Sequence, residues 1–158
     1  VHISNGSPEA FDIWMSPYDR GAFFLPLRMP TVAACYAQVT GELPHLFPKL
    51  RWAYVEATAQ WIPWLTQEAR QRAKRQGRSV PDDPLREANV WVSCQTDDDF
   101  HDILRYTSKE TLVLGTDYGH ADSSAEMDAT LVFRNMDILD PETKKMVLGT
   151  NAETLYGI

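Results

Sequence analysis

A histidine and an aspartate, each part of a short apolar run, are well suited to bind a metal ion. His2 lies in the run at residues 1–4, and Asp117 ends the run at residues 111–117, with His120 three residues later. Imidazole nitrogens and carboxylate oxygens are ligands for zinc and similar divalent ions. A catalytic zinc ion usually has three protein ligands, so these two side chains do not complete a site. The alternatives are a helix cap for Asp117 and a surface position for His2.

Polar residues also end the two remaining apolar runs. Glu56 ends residues 51–56, and Ser93 to Gln95 end residues 89–95. In parallel α/β folds the carboxyl ends of the strands converge on one face, and ligands bind there. If the runs are parallel strands, these residues therefore share a face with Asp117.

The elements that must position these residues alternate along the chain. The four runs are short and rich in Val, Leu, Ile and aromatic residues, which is typical of strands buried on both faces. The clearest helix, at residues 60–77, places Trp61 and Trp64 on one apolar stripe. Further helices are predicted at residues 31–40 before Gly41, at 97–105 after an Asp cap, after Ser123 or Ser124, from Asp140 to Gly149, and at 151–156.

This order of strands and helices predicts parallel strands joined by crossover helices. Two architectures fit: an open doubly wound sheet, or part of a (β/α)8 barrel (TIM barrel). A complete barrel needs about 250 residues, so four strands in 158 residues amount to about half of one. The chain opens inside a predicted strand without an initiator Met, so we expect it to be a piece of a longer protein. Residues 1–158 are predicted to form a single domain.

Composition excludes several classes of partner. The 22 acidic and 15 basic side chains leave a net charge of −7, which argues against nucleic-acid binding and against an anionic membrane surface. No apolar run reaches the roughly 20 residues of a membrane span. Two cysteines, Cys35 and Cys94, indicate a reducing cytoplasm with free thiols, although one pair also allows a single bridge. Cys94 has no evident His partner, and we expect His45 and His101 to be structural.

Three segments carry a resemblance to a known family. They are FPKLRWAYVEATAQWIPWL at residues 47–65, LVLGTDYGH at residues 112–120 and KKMVLGTNAETLYGI at residues 144–158. In this order they resemble the amidohydrolase-related branch of the amidohydrolase superfamily, which includes aminocarboxymuconate-semialdehyde decarboxylase and the resorcylate decarboxylases. They look like the sixth strand, the eighth strand and the terminal helix of that family's barrel, and VHISN at the start looks like its fifth strand.

The resemblance implies the C-terminal half of a metal-dependent TIM barrel. His2 would be the fifth-strand metal ligand, and Asp117 the eighth-strand acid that contacts the metal or shares the proton of its water. Glu56 and His120 would orient the substrate or move the proton. The implied metal is zinc, with manganese or iron as alternatives. The family's first-strand ligand pair is absent from this chain, so the implied partner is the missing N-terminal half, and a homodimer is compatible with the family.

Three functional hypotheses follow. The first is a hydrolase that acts on a carbonyl or ester-like bond of a small molecule through a metal-activated water. The second is a metal-dependent decarboxylase of an aromatic or unsaturated acid, although the decarboxylases have a His where this sequence has Glu56. The third is an inactive half-barrel, whose unpaired sheet edges would make it self-associate.

Aromatic residues after the first strand would wall the pocket or pack within their own loop: Trp14, Tyr18, Phe23 and Phe24.

Overall fold

The structure, a computed structural model, describes residues 1–2, 24–120 and 125–158. Its three strands are β1 (Trp52–Tyr54), β2 (Val90–Cys94) and β3 (Leu112–Leu114). The helices are α1 (Phe24–Thr40), α2 (Leu43–Leu46), α3 (Ile62–Arg75), α4 (Pro84–Glu87), α5 (Phe100–Ile103), α6 (Ala129–Arg134), α7 (Pro141–Lys145) and α8 (Asn151–Tyr156). A 3-10 helix (Lys109–Thr111) precedes β3, and a π-helix (Met146–Thr150) joins α7 to α8.

The strands form a parallel sheet in the order β1-β2-β3, with Ala53 opposite Trp91 and Ser93 opposite Val113. Val1 extends this sheet beside β1. The amide of Val55 donates to the carbonyl of Val1 (3.2 Å), and the amino group of Val1 contacts the carbonyl of Ala53. These are the two bonds of a parallel pair. The rest of the predicted first strand, residues 3–4, lies outside the described residues.

Both faces of the sheet are buried, which explains why the strands read as nearly continuous apolar runs. On one face, Tyr54, Val92 and Leu112 pack into the core with residues of α3 and α5. On the opposite face, Trp91 and Val113 are each only 8% exposed. The parallel sheet and its covering helices confirm the predicted α/β class.

Helix α1 begins well before the predicted start at residue 31 and contains Pro30 in its interior. A proline inside a helix removes one backbone hydrogen bond without necessarily ending the helix. The predicted end is confirmed, because α1 stops at Thr40. The next residue is Gly41, and only glycine fits there without a clash, because a Cβ at this position would lie 2.6 Å from the carbonyl oxygen of Ala37.

Helices α3 and α5 are shorter than predicted, and one residue of the predicted apolar stripe of α3 is not buried. Trp61 is 8% exposed, whereas Trp64 from the same predicted stripe is 53% exposed. Trp64 borders a surface groove between α1 and α3 instead of entering the core. The stripe is therefore narrower than the sequence pattern suggests.

The C-terminal helices do not stop at Gly149, which corrects the prediction. Helix α7 begins at the predicted cap, where Asp140 accepts hydrogen bonds from the amides of Glu142 (2.9 Å) and Thr143 (3.0 Å), but it continues through the π-helix into α8. Asn151 does not cap α8, because its buried side chain instead donates to two carbonyls at the start of β3. This anchoring offsets the roughly 1 kcal/mol that glycine costs in a helix.

The predicted cap at Ser123 or Ser124 lies outside the described residues. Helix α6 begins after Asp128. Within the described part of the chain, no helix has the length and apolar character needed to cross a membrane.

Candidate metal centre

The predicted site residues meet at the carboxyl-terminal edge of the sheet, where the loops leave β1, β2 and β3. Nδ1 of His120 lies 2.7 Å from Oδ1 of Asp117 and 3.9 Å from Oε1 of Glu56. Nε2 of His2 contacts Oε2 of the same Glu56. Glu56 is therefore the centre of a four-residue cluster, which we call the carboxylate–histidine cluster: His2, Glu56, Asp117 and His120.

The local backbone of both carboxylates is unusual. Glu56 has a φ of 63° and Asp117 a φ of 48°, in the left-handed region that residues with a Cβ rarely adopt. Such a conformation costs about 1–2 kcal/mol per residue. At Glu56 it is held by a hydrogen bond from its amide to Oγ of Ser93 (3.0 Å) and by contact of the Arg28 guanidinium with its carbonyl. Strain of this kind is concentrated at functional sites.

Burial differs between the acids and the imidazoles of the cluster. The side chains of Glu56 and Asp117 are 16% and 21% exposed, whereas those of His2 and His120 are 44% and 54% exposed. The carboxylates thus form the floor of the cluster and the imidazoles form its rim.

One atom of the cluster lacks a hydrogen-bond partner among the described residues. Oδ2 of Asp117 is buried, and no described donor reaches it. A buried carboxylate oxygen without a donor is costly, so such an atom in a native protein requires an explanation such as a bound ion. Glu56, Asp117 and His120 each offer a ligand atom, and these three atoms lie within 4.8 Å of one another. This oxygen–nitrogen donor set suits zinc, manganese or iron.

The sequence placed His2 and Asp117 as ligands and Glu56 and His120 as catalytic groups. In the structure all four are adjacent, and Glu56 and His120 offer potential ligand atoms beside that of Asp117. Sequence analysis missed two groups that hold Glu56. Ser93 was recognisable as a residue at the end of a strand, whereas nothing in the sequence pattern singles out Arg28.

A cavity of about 320 Å³ adjoins the cluster. Ser93 and Gln95 are among its polar lining residues, and Val55, Val113 and Leu155 are among its apolar ones. Its volume is at the lower end of the range of small-molecule pockets. The predicted wall of aromatic residues cannot be compared with it, because Trp14, Tyr18 and Phe23 lie outside the described residues and the side chain of Phe24 is not described.

Neither cysteine takes part in the cluster. Both Cys35 and Cys94 are buried free thiols. Cys94 donates to the carbonyl of Val113 (3.2 Å), and burial raises its pKa. Burial likewise raises the pKa of Cys35 to about 12. A nucleophilic cysteine needs a lowered pKa, so the thiol of Cys94 is structural.

The order of the strands, the crossover helices and the cluster at the carboxyl ends define a parallel α/β fold of half-barrel size. No protein-family model and no curated protein matches the sequence. Solved structures do match the fold. An amidohydrolase from Mycobacterium avium subsp. paratuberculosis has a TM-score of 0.73 at 17% identity, covering 96% of this chain and 39% of that one.

Two decarboxylases match the fold over nearly the whole chain. The 5-carboxyvanillate decarboxylase of Sphingomonas paucimobilis has a TM-score of 0.66 at 16% identity, covering 100% of this chain and 48% of that one. A dihydroxybenzoic acid decarboxylase from Polaromonas, solved with manganese and 2-nitroresorcinol, has a TM-score of 0.68 at 15% identity. The match covers 99% of this chain and 48% of that one. The resemblance is thus confirmed for the fold, which this chain shares with an amidohydrolase and with these two decarboxylases. This chain spans less than half the length of these structures, which fits the predicted half-barrel.

Proposed function

We propose that this chain supplies part of the active site of a metal-dependent hydrolase that cleaves a carbonyl or ester-like bond in a small molecule. The observation that carries the proposal is the buried Oδ2 of Asp117, which has no described donor and lies in a cluster with Glu56 and His120. Binding of a cation there would compensate the burial of the carboxylates. The fold similarity to an amidohydrolase supports the same class.

His2 and Asp117 are the residues that would hold the metal, with Glu56 and His120 beside them to orient the substrate or move a proton. Zinc is the first candidate, with manganese or iron as alternatives. A divalent ion in such a site lowers the pKa of bound water towards about 7 and polarises a carbonyl. The remaining ligands would come from the rest of a barrel, which we propose as the partner of this half. The donor set does not distinguish among these ions.

Asp117 is the proposed general base and acid, because it has one oxygen directed to His120 and a second oxygen without a described partner. The first oxygen lies 2.7 Å from Nδ1 of His120, so the imidazole can hold the carboxylate in place and exchange a proton with it. His120 is 54% exposed and can pass that proton to solvent. Ser93 and Gln95 offer hydrogen bonds to a substrate in the adjoining cavity.

The proposal is tested by manganese binding to the complete protein, measured by electron paramagnetic resonance. We expect Asp117→Asn to weaken Mn²⁺ binding by at least about 100-fold, since even residues that only support ligands contribute 10- to 100-fold. Asp99→Asn is the matched control, because Asp99 caps α5 and lies outside the cluster. Metal content below about one tenth of an equivalent in the complete protein, or equal affinity of Asp117→Asn and the parent, would contradict the proposal.

Decarboxylation is the second candidate, and the two decarboxylases of similar fold favour it. Their family has a His at the position of Glu56, and that His is the implied proton donor. Glu56→His should therefore create or raise carbon dioxide release from aryl acids if this chain has diverged from decarboxylase chemistry. The absence of release from any aryl acid, before and after the substitution, would count against a decarboxylase.

A further inference from the structure

Asp98 is a buried carboxylate that joins two of the loops at the carboxyl-terminal edge. It is 7% exposed. Its Oδ2 accepts a hydrogen bond from the amide of Gln95 (2.8 Å) within its own loop, residues 95–99. The same oxygen accepts from the amide of Ala59 (2.9 Å) in the loop that follows β1, residues 55–61. One oxygen atom thus connects the loop after β1 to the loop after β2.

The loop after β1 needs such support because its backbone is strained at two positions. Glu56 has a φ of 63° and Thr58 a φ of 56°. Each left-handed residue costs about 1–2 kcal/mol, so an isolated loop of this sequence would favour other conformations. Ala59 directly follows the second strained residue. A hydrogen bond to its amide therefore fixes the backbone immediately beyond the strained segment.

A second tie connects the same two loops. The amide of Asp99 donates to Oε1 of Gln60 at 2.8 Å. Closer to the cluster, Oγ of Ser93 accepts from the amide of Glu56 at 3.0 Å. Glu56 is thus held on one side by Ser93, and the chain that leaves it is held by Asp98. Among these groups, Asp98 is the buried charge, and hydrogen bonds to a charged acceptor are about twice as strong as neutral ones.

We propose that Asp98 is a positioning residue that holds the loop after β1 in the conformation that directs Glu56 to the metal centre. The inference rests on the proposed function for its metal readout. Asp98 itself lies outside the carboxylate–histidine cluster and acts through the backbone of residues 56–59. Its loss would let the two loops move independently and let Glu56 leave the left-handed conformation.

The test compares Asp98→Asn with Asp99→Asn in the complete protein. Both substitutions remove one negative charge from the same loop, but the side chain of Asp99 accepts a hydrogen bond from the amide of Asp102 to cap α5, whereas that of Asp98 accepts from the amide of Ala59 in the loop after β1. We expect Asp98→Asn to weaken Mn²⁺ binding by 10- to 100-fold, as typical of residues that support metal ligands. Asp99→Asn should bind Mn²⁺ like the parent.

A second readout does not depend on the metal. In the metal-free protein, the NMR resonance of the Glu56 amide should shift in Asp98→Asn and stay in place in Asp99→Asn. A purely structural role would lower the unfolding midpoint and leave both Mn²⁺ affinity and this resonance unchanged below the transition, which would overturn the inference. If the parent binds no Mn²⁺, the proposed function fails, and the Glu56 resonance alone decides the inference.

A measurement on the unsubstituted protein covers the case in which Asp98→Asn does not fold. The amide hydrogens of Ala59 and Gln95 are held by one oxygen atom, so they should exchange with solvent through a common opening with equal opening free energy. Different opening free energies for these two amides would show that the loops open separately and would overturn the inference.

Discussion

The two edges of the sheet differ in how they treat polar groups. At the amino-terminal edge, where chains enter the strands, Asn151 is buried and donates to the carbonyls of Lys109 and Leu112, both at 2.7 Å. At the carboxyl-terminal edge, Asp117 keeps a buried oxygen without a described partner, and Glu56 has a strained backbone. At the first edge the amide of Asn151 is satisfied within the chain, and the buried atoms without a described partner there are neutral, such as Oγ of Ser108. At the second edge the atom without a described partner is a carboxylate oxygen, which a cation could satisfy.

Asp83 shows the same contrast with Asp98. Asp83 caps α4 and also accepts hydrogen bonds from the hydroxyl of Thr107 (2.9 Å) and the amide of Ser108 (2.6 Å) before β3. It joins two loops at the amino-terminal edge, as Asp98 does at the opposite edge. The position of each residue determines its consequence, because in barrel folds the amino-terminal face stabilises the fold and the carboxyl-terminal face carries the site.

The largest expected effect on stability is that of Asn151→Ala. The substitution removes two hydrogen bonds from a buried side chain, although the carbonyl of Lys109 keeps the amide of Leu112 as a donor, so we expect the free energy of unfolding to fall by about 2–3 kcal/mol. Denaturant titration measures this change. The substitution lies at the amino-terminal edge, so Mn²⁺ affinity should remain that of the parent.

Asp117→Asn is the counterpart at the carboxyl-terminal edge. It should not lower the free energy of unfolding of the metal-free protein, because it removes a negative charge whose buried Oδ2 has no described donor, while it weakens Mn²⁺ binding by at least about 100-fold. A loss of stability equal to that of Asn151→Ala would remove the distinction between the two edges.

A smaller change in stability is expected from substituting either of two residues whose backbone lies in the left-handed region. Thr58 (φ 56°) follows β1, and Asn89 (φ 52°) precedes β2. Asn adopts the left-handed region more readily than a β-branched residue, so Thr58→Asn should stabilise the protein by about 0.5–1 kcal/mol. Asn89→Thr should destabilise it, also because the side chain of Asn89 donates to the carbonyl of Pro48 (2.9 Å). Thermal unfolding measures both changes in stability. If both substitutions stabilised the protein, or both destabilised it, the expectation would be contradicted.

The smallest expected effect is the pH dependence of stability that arises from Asp98. Burial raises the pKa of Asp98, an effect opposed by the amides of Gln95 and Ala59. A carboxyl with a raised pKa in the folded state binds its proton more tightly there than in the unfolded chain. Its contribution to stability is therefore complete below the unfolded pKa and is lost as pH rises through the folded pKa.

Relative to the parent, Asp98→Asn should accordingly be most destabilised at low pH, and the difference should narrow as pH rises. Urea titrations of both proteins across the acidic range measure this difference. A difference that widens with rising pH would show that the hydrogen bonds to Asp98 outweigh its burial.

Sequence patterns were sufficient for the elements with strong local determinants. The apolar runs identified β1, β2 and β3, and the Asp140-Pro141 pair identified the start of α7. Sequence patterns failed where contacts between residues far apart in the chain determine the local structure. The bonds of Asn151 to the start of β3 carry the terminal helix past Gly149, and the packing of α1 against α3 leaves Trp64 at the surface. Neither contact is visible from the neighbouring residues in the chain.

The sequence by itself determined the class of the fold and the residues at the strand ends, because hydrophobic periodicity and the alternation of elements are local properties. Only the tertiary structure decided that Glu56 lies between His2 and His120, and that Asp98 connects the two loops. Residues 2, 56, 98 and 117 are far apart along the chain, so their proximity depends on the register of the parallel strands and on loop conformations that only long-range hydrogen bonds maintain.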